Sequence, residues 1–235
     1  PWILDDLSFT VARGAGIGIV GESGSGKSTL IRVLAGLLRH GAGTVRFDDR
    51  DIGDWLAHAD RELRRRNQIV FQSPRRSLDP RMTIRRSLSQ PMRSLEGRPP
   101  TAAELDEWLS RVSLGPEVLS RYPHQLSGGQ LQRVGIARAL SVRPDVLYAD
   151  EPVSALDVSV QAQVLNLLMD VRAELGLTLV MVSHDLGVVS RLCDRVVVLR
   201  RGVIVEAGLT HEVLANPQDE YTTSLIAAAR SVSLA

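Results

Sequence analysis

Nine residues, Gly21-Glu22-Ser23-Gly24-Ser25-Gly26-Lys27-Ser28-Thr29, constrain this chain more than any other stretch, because they satisfy every fixed position of the phosphate-binding pattern G-x-x-x-x-G-K-[ST]. Ahead of them runs Ile17-Gly18-Ile19-Val20, apolar enough for a buried strand, and Leu30 to Leu38 behind them carries helix formers in helical rhythm. Glycines let a backbone curl so that successive N–H groups point inward, and a helix beginning near Gly26 adds the positive end of its dipole. Lys27 then reaches the β- and γ-phosphates of a polyphosphate, the Ser28 hydroxyl is placed to ligate Mg2+, and Thr29 assists at the α-phosphate. Lys27 is also the only lysine of the chain, the other 27 of its 28 basic residues being arginine. A compact ammonium at this one place fits the loop as a wide planar guanidinium does not.

With 235 residues the chain can bury a full α/β core, read here as one domain carrying a subdomain. A formal net charge of +1 gives no overall bias toward nucleic acid, and 44% hydrophobic with 4% aromatic residues predicts a core of Val, Leu, Ile and Ala. No apolar run approaches the ~20 residues of a membrane span and no signal peptide opens the chain, so the protein reads as soluble. Cys193, the single cysteine, has no internal disulfide partner and reads as a thiol without a role. Charge is unevenly placed: residues 61–98 hold eleven arginines against Glu62, Asp79 and Glu96, a local net of +8. Such a run is either a solvated face or a surface lying near anionic headgroups or an acidic partner loop.

In chain order, residues 3–11 alternate as a strand, cut into abruptly at the first residue, and Arg13-Gly14 turns into the strand before the phosphate loop. Thr44 to Phe47 predicts a strand ending in Asp48-Asp49, residues 60–66 a basic helix, and Ile69-Val70-Phe71 a short strand closed by Gln72-Ser73-Pro74. From Ser77 the composition changes, and Thr101-Ala102-Ala103-Glu104 has the form of a capping box that starts a helix to Val112. A further helix runs from the 126–130 segment to Ser141. Beyond it the pattern alternates: strand 146–149, helix 159–174, strand 177–182, a short helix after Asp185, strands 196–199 and 203–205, and two helices split at Asn216-Pro217. Strands alternating with helices predict an α/β fold with a mainly parallel sheet covered on both faces.

Three further segments carry chemistry. An apolar strand ends in Asp150-Glu151, and a buried strand aims such groups at a ligand only from its C-terminal edge. Asp150 there supports a Mg2+ shell and Glu151 polarises a water. Leu126-Ser127-Gly128-Gly129-Gln130 opens a helix: Ser127 is an N-cap, and two glycines at a cost near ~1 kcal/mol each suggest close approach by a ligand, although a plain cap satisfies the same residues. Gln72 and His184 each follow an apolar strand, as structural polar residues often do and as site residues do in the right company.

These segments in this order, with Ser154-Ala155-Leu156-Asp157, resemble the nucleotide-binding domain of ABC transporters over essentially the whole chain. More narrowly, Phe71-Gln-Ser-Pro, Arg121-Tyr-Pro-His-Gln125, Asp157-Val-Ser-Val-Gln-Ala-Gln163 and Asn216-Pro-Gln-Asp-Glu-Tyr-Thr222 resemble the ATPases of dipeptide, oligopeptide and nickel importers. The resemblance implies a P-loop NTPase core at about 1–76 and 142–235, an N-terminal antiparallel β-subdomain, and an inserted helical subdomain at about 77–141. It implies ATP and Mg2+ as ligands, and a head-to-tail dimer with each ATP between one subunit's phosphate loop and the other's LSGGQ. On that pattern Gly21–Thr29, Gln72, Asp150, Glu151 and His184 act in cis, with Ser28, Gln72 and Asp150 toward the metal. Ser127, Gly128, Gly129 and Gln130 act in trans, and Asp157 communicates across the interface.

The implied partners are a second ATPase subunit, identical or paralogous, membrane permease subunits docking near Gln72 and the arginine-rich segment, and indirectly a solute-binding protein. Nucleic acid is not among them, and the implied location is peripheral, at the cytoplasmic face of the membrane. Two departures stand out: the family's adenine-stacking aromatic would precede residue 1 by spacing, with Trp2 several residues too late, and Ala15 replaces a common glutamate. An exporter ATPase or one half of a fused tandem ATPase is the alternative reading. A translation or DNA-repair ATPase would need a second cassette or a long coiled coil.

Overall fold

A computed structural model describes residues 3–154 and 156–232. In chain order its elements are β1 (Gly16–Val20), α1 (Lys27–Leu34), β2 (Arg46–Phe47), β3 (Arg50–Asp51), α2 (Ile52–His58), α3 (Asp60–Arg66), β4 (Asn67–Val70), α4 (Pro74–Ser77) and α5 (Ile84–Pro91). There follow α6 (Ala102–Arg111), α7 (Gly128–Leu140), β5 (Val146–Asp150), α8 (Val158–Leu175), β6 (Thr178–Val182), α9 (Leu186–Leu192), β7 (Arg195–Arg200), β8 (Val203–Leu209), α10 (Thr210–Ala215) and α11 (Glu220–Val232).

The main sheet has the strand order β4-β5-β6-β1-β7-β8, parallel from β4 to β7. Strand β8 returns antiparallel to β7 through Arg201-Gly202, both at positive φ (48° and 85°), as a tight hairpin turn requires. Strands β1, β5 and β6 are buried at every residue, which is why they read as continuous apolar runs. Their period of two still sorts the side chains. Ile17, Ile19, Tyr148, Val180 and Val182 face a core with Leu30 and Ile31 of α1. Leu147, Ala149, Leu179 and Met181 face the larger core under α5 to α9. Cys193 is buried in that larger core and burial pushes its thiol up to about 12, so it is inert.

Away from the main sheet, the sequence expectations are met unevenly. The capping box of α6 is formed, with Thr101 accepting from the Glu104 amide at 3.2 Å and Glu104 accepting from the Thr101 amide at 2.8 Å. The strand expected at 3–11 does not form: Leu4, Leu7, Phe9 and Val11 pack against the α1 side of the sheet, but no ladder joins them to a neighbour. Alternation there records burial, and burial of one face needs no hydrogen-bonded partner. The antiparallel β-subdomain is correspondingly small, a two-stranded ribbon of β2 and β3 turning at Asp48-Asp49, both at positive φ (57° and 60°). Helix α2 was not foreseen; Asp51 caps it by accepting from Gly53 at 2.7 Å, and Ile52 and Trp55 bury against Leu63. Strand β4 starts earlier than expected, at Asn67, where it pairs with Val146.

Among the described residues no helix is long and apolar enough to cross a membrane.

Candidate functional site

Four neighbouring strands, β4, β5, β6 and β1, end on the same edge of the sheet, and each tip carries an expected site residue: Gln72, Asp150-Glu151, His184 and the loop 21–26. Open parallel sheets bind ligands at this edge because the loops there diverge and the helices behind them point their N-termini outward. The tips enclose a cavity of about 530 Å³ lined by Ile3, Ser23, Gly24, Gly26, Lys27, Ser28, Thr29, Gln72, Glu151 and His184. Gly26, the N-cap of α1, sits at φ 105°, a left-handed conformation that glycine adopts without strain. It turns the loop directly into the helix.

Lys27 is 6% exposed, and its ammonium donates to the carbonyls of Gly21 and Glu22, each at 2.7 Å. Burial lowers its pKa, opposed by the nearby carboxylates of Glu151, Asp150 and Glu22. Behind it the Ser28 hydroxyl donates to Asp150 at 3.0 Å. Asp150 is 5% exposed, and burial raises its pKa against the opposing Ser28 hydrogen bond. A hydroxyl and a carboxylate in contact form a hard-oxygen pair suited to Mg2+, which binds through one or two protein oxygens plus water and phosphate. Among the described residues no larger group of metal-ligating side chains competes with it.

Glu151 lies one residue beyond β5 at φ 46°, a left-handed conformation costing of order 1–2 kcal/mol for a residue with a Cβ. Its amide still donates to Val182 at 2.9 Å, so the strand edge holds the backbone while the side chain turns into the cavity. There one carboxylate oxygen accepts from the Gln72 amide at 2.8 Å, and the other lies 3.5 Å from the His184 ring. Gln72 also donates to Ser154 at 3.3 Å, a contact not foreseen from the sequence although Ser154 opens the 154–157 motif. His184 is open to solvent, with its side chain 64% exposed against 19% for Glu151.

The Ser127–Gln130 set and Asp157 do not line this cavity. Ser127 caps α7 in a reciprocal box, accepting from the Gln130 amide at 3.2 Å while Gln130 accepts from the Ser127 amide at 3.0 Å. Gly129 has a packing reason to be glycine, since a Cβ there would stand 2.3 Å from Val160 on α8. The ligand argument from paired glycines therefore survives only for Gly128, where a Cβ would meet nothing nearer than Leu156 at 3.7 Å. Asp157 caps α8, accepting from the Val160 amide at 3.0 Å, and that bond lowers its pKa. Trp2 and Ala155 lie outside the described residues.

The arginine-rich segment divides in two. Arg64, Arg66 and Arg98 are paired with carboxylates, whereas Arg75, Arg81, Arg85, Arg86 and Arg93 are exposed with no ion pair among the described residues. Beside it a groove of about 300 Å³ runs between α5 and the β4 edge, lined by Leu37, Gln68, Ile69, Gln90, Leu95 and Arg138 among others.

The ABC transporter family matches residues 4–154. A Brucella ovis protein named for peptide import and ATP binding is 48% identical over 229 residues, which span 96% of this chain and 72% of that protein. The oligopeptide transport ATP-binding protein OppF of Salmonella typhimurium is 43% identical, over 96% of this chain and 68% of its own length. Among solved structures, cbiO1 of Clostridium perfringens, part of the ABC transporter complex cbiONQ, superposes with a TM-score of 0.81 at 31% identity, covering 91% of this chain and 84% of its own. The ATP-binding cassette MJ0796, a dimer bound to ADP and phosphate after hydrolysis, gives 0.78 at 30% identity, covering 88% and 90%. With a phosphate loop, an acidic strand tip and a capped LSGGQ helix all in place on that fold, the chain belongs to the ABC transporter family of ATP-binding proteins.

Proposed function

We propose that this protein is the ATP-hydrolysing subunit that energises import of peptides or a related small solute through a membrane permease. The observation that carries the reading is the convergence of Lys27, Ser28, Gln72, Glu151 and His184 on one cavity at the C-terminal edge of the sheet. The N-terminus of α1 and Lys27 hold the phosphates, which draw the ammonium away from its loop carbonyls. Ser28 and Asp150, with Gln72, would hold Mg2+, which would supply positive charge to screen the phosphates. Glu151, oriented by Gln72, takes a proton from the attacking water, and His184 reaches the γ-phosphate side.

Ser127–Gln130 lie outside the cavity, which supports their serving the site of a second subunit packed head to tail. The dimeric, ADP- and phosphate-bound relative supports the same arrangement. The peptide solute class rests on the Brucella relative named for peptide import and on OppF, named for oligopeptide transport. The groove between α5 and β4, where Leu37 is 45% exposed, suits a cytoplasmic element of the permease. It separates the core at about 1–76 and 142–235 from the helical subdomain at about 77–141. On this reading the subunit sits peripherally at the cytoplasmic face, and a solute-binding protein acts only through the permease. Phosphate release by the purified protein, alone and with co-purified permease subunits, tests it. Failure to bind ATP, or identical turnover after Lys27→Ala, would sink it.

A further inference from the structure

One hydrogen bond of the phosphate loop comes from the far end of the chain. The backbone amide of Glu22 donates at 2.9 Å to the hydroxyl of Tyr221 on α11, 199 residues later. The carbonyl of the same peptide unit, that of Gly21, accepts from the Lys27 ammonium at 2.7 Å. A peptide unit is planar, so a partner at each end fixes its rotation. Lys27 and Tyr221 therefore grip opposite edges of one plane.

We propose that Tyr221 is a positioning residue of the nucleotide site, its hydroxyl presetting the orientation of the Gly21–Glu22 peptide and hence of the loop that cradles the phosphates. The inference rests on residues 21–29 being that cradle. Neither Glu22 nor Tyr221 lines the cavity, so the role is exerted through the loop and not on the nucleotide.

The ring and the helix start that carries it are held in turn. Tyr221 is 8% exposed, and the Arg200 guanidinium at the end of β7 lies over its ring, 4.9 Å from the centroid. Asp219 caps the first turn of α11, accepting from the Tyr221 amide at 2.8 Å and the Thr222 amide at 3.3 Å. Glu206 on β8 in turn accepts from the Gln218 and Asp219 amides at 2.9 and 3.2 Å. The β7–β8 hairpin thus fixes α11, and α11 fixes the loop.

The consequence concerns what happens when phosphates compete for Lys27. The ammonium must leave the Gly21 carbonyl to reach them, and Tyr221 is then the remaining grip on that peptide. Without the hydroxyl the peptide rotates among several orientations, and apparent affinity falls by the fraction of loops left in the binding orientation.

Tyr221→Phe removes the hydroxyl and keeps the ring under Arg200, so it isolates the hydrogen bond from packing. In the full chain, ATP binding by fluorescence titration is measured together with amide hydrogen exchange resolved to residues 21–23. The expected result is a rise of about fivefold in the Kd for ATP, the ratio equivalent to one net hydrogen bond of about 1 kcal/mol, with faster exchange confined to the loop. A wild-type Kd in the Phe variant, or faster exchange spread along α11, would overturn the proposal and leave Tyr221 as a packing residue. Lys27→Ala separates the two readings. If that variant loses ATP while Tyr221→Phe does not, only the positioning role fails; if Lys27→Ala itself binds ATP normally, the assignment of the cradle fails first.

Discussion

Gln72 at the tip of β4 donates its side-chain amide to Glu151 at the tip of β5, 2.8 Å away, and so ties two parallel strands together at the point where the cavity opens. The bond occupies one carboxylate oxygen and leaves the other toward His184 at 3.5 Å. A carboxylate held in this way keeps one orientation while its second oxygen stays available for a proton, as the proposed general base requires. Movement of the Gln72 loop, which leads into α4 and the helical layer, would therefore move the Glu151 carboxylate.

Replacing Glu151 with Gln keeps the shape of the side chain and its contact distance to Gln72 but removes the capacity to accept a proton. ATP affinity should stay within about twofold of wild type while turnover falls by about 10²–10⁴-fold, the usual worth of a positioned general base. The variant should also accumulate as a nucleotide-bound dimer, visible by size-exclusion chromatography with ATP. Wild-type phosphate release would remove Glu151 from the role.

The two glycines that open α7 should respond to alanine in opposite ways. At Gly129 the new Cβ meets Val160 at 2.3 Å, so Gly129→Ala forces α7 and α8 apart and costs about 1–3 kcal/mol. That corresponds to a fall in Tm of roughly 2–12 °C for a chain of this size. At Gly128 the nearest atom is 3.7 Å away, so Gly128→Ala leaves Tm unchanged. Its surface is free for a second subunit, and its ATPase should drop at least tenfold. Unaltered turnover in a well-folded Gly128→Ala protein would argue against action in trans.

The contrast between these two glycines also marks where sequence reading stops. The signals that held, the phosphate loop, the Thr101 and Ser127 caps and the acidic tip of β5, are local: each is complete within a few residues, and backbone chemistry fixes its geometry. Gly129 is glycine because of Val160, and Glu22 is held by Tyr221, contacts that only the folded chain brings together. The alternation of Leu7, Phe9 and Val11 correctly marks a buried face, but whether such a face joins a ladder depends on a neighbour supplying hydrogen bonds, which alternation does not encode. Helix α2 escaped notice because Gly53 weakens its propensity; Asp51 capping and burial of Trp55 form it nonetheless.

Acid stability should depend on Glu104. Its hydrogen bond from Arg98 at 2.7 Å, joined by the Thr101 amide, lowers its pKa from 4.5 to about 2. A carboxyl depressed in the folded state contributes stability that is fully present above its unfolded value of 4.5 and is lost as pH falls toward about 2. Glu104→Gln removes that contribution. Urea midpoints of wild type and variant should differ most at neutral pH and converge on acidification through this window. A constant difference across it would show that the carboxylate charge is not what holds the start of α6.

Asp150 should show stability and activity moving apart. It is 5% exposed, and burial raises its pKa, so its ionised form is a burden on the fold that Ser28 only partly offsets. For a carboxyl raised in this way the favourable contribution exists at low pH and disappears as pH climbs through the folded value, leaving a net cost at neutrality. Asp150→Asn keeps the volume and an acceptor for the Ser28 hydroxyl at 3.0 Å while discarding the charge. Urea unfolding near neutral pH should therefore give a variant more stable by on the order of 1 kcal/mol, with the gain fading toward acid. The same change halves the hard-oxygen pair available to Mg2+, so the Mg2+ concentration supporting half-maximal ATPase should rise at least tenfold, the scale seen when a metal site loses an interaction. A variant that gained stability and kept its Mg2+ requirement would place the metal elsewhere. One that lost both would mean the carboxylate is held by partners stronger than Ser28.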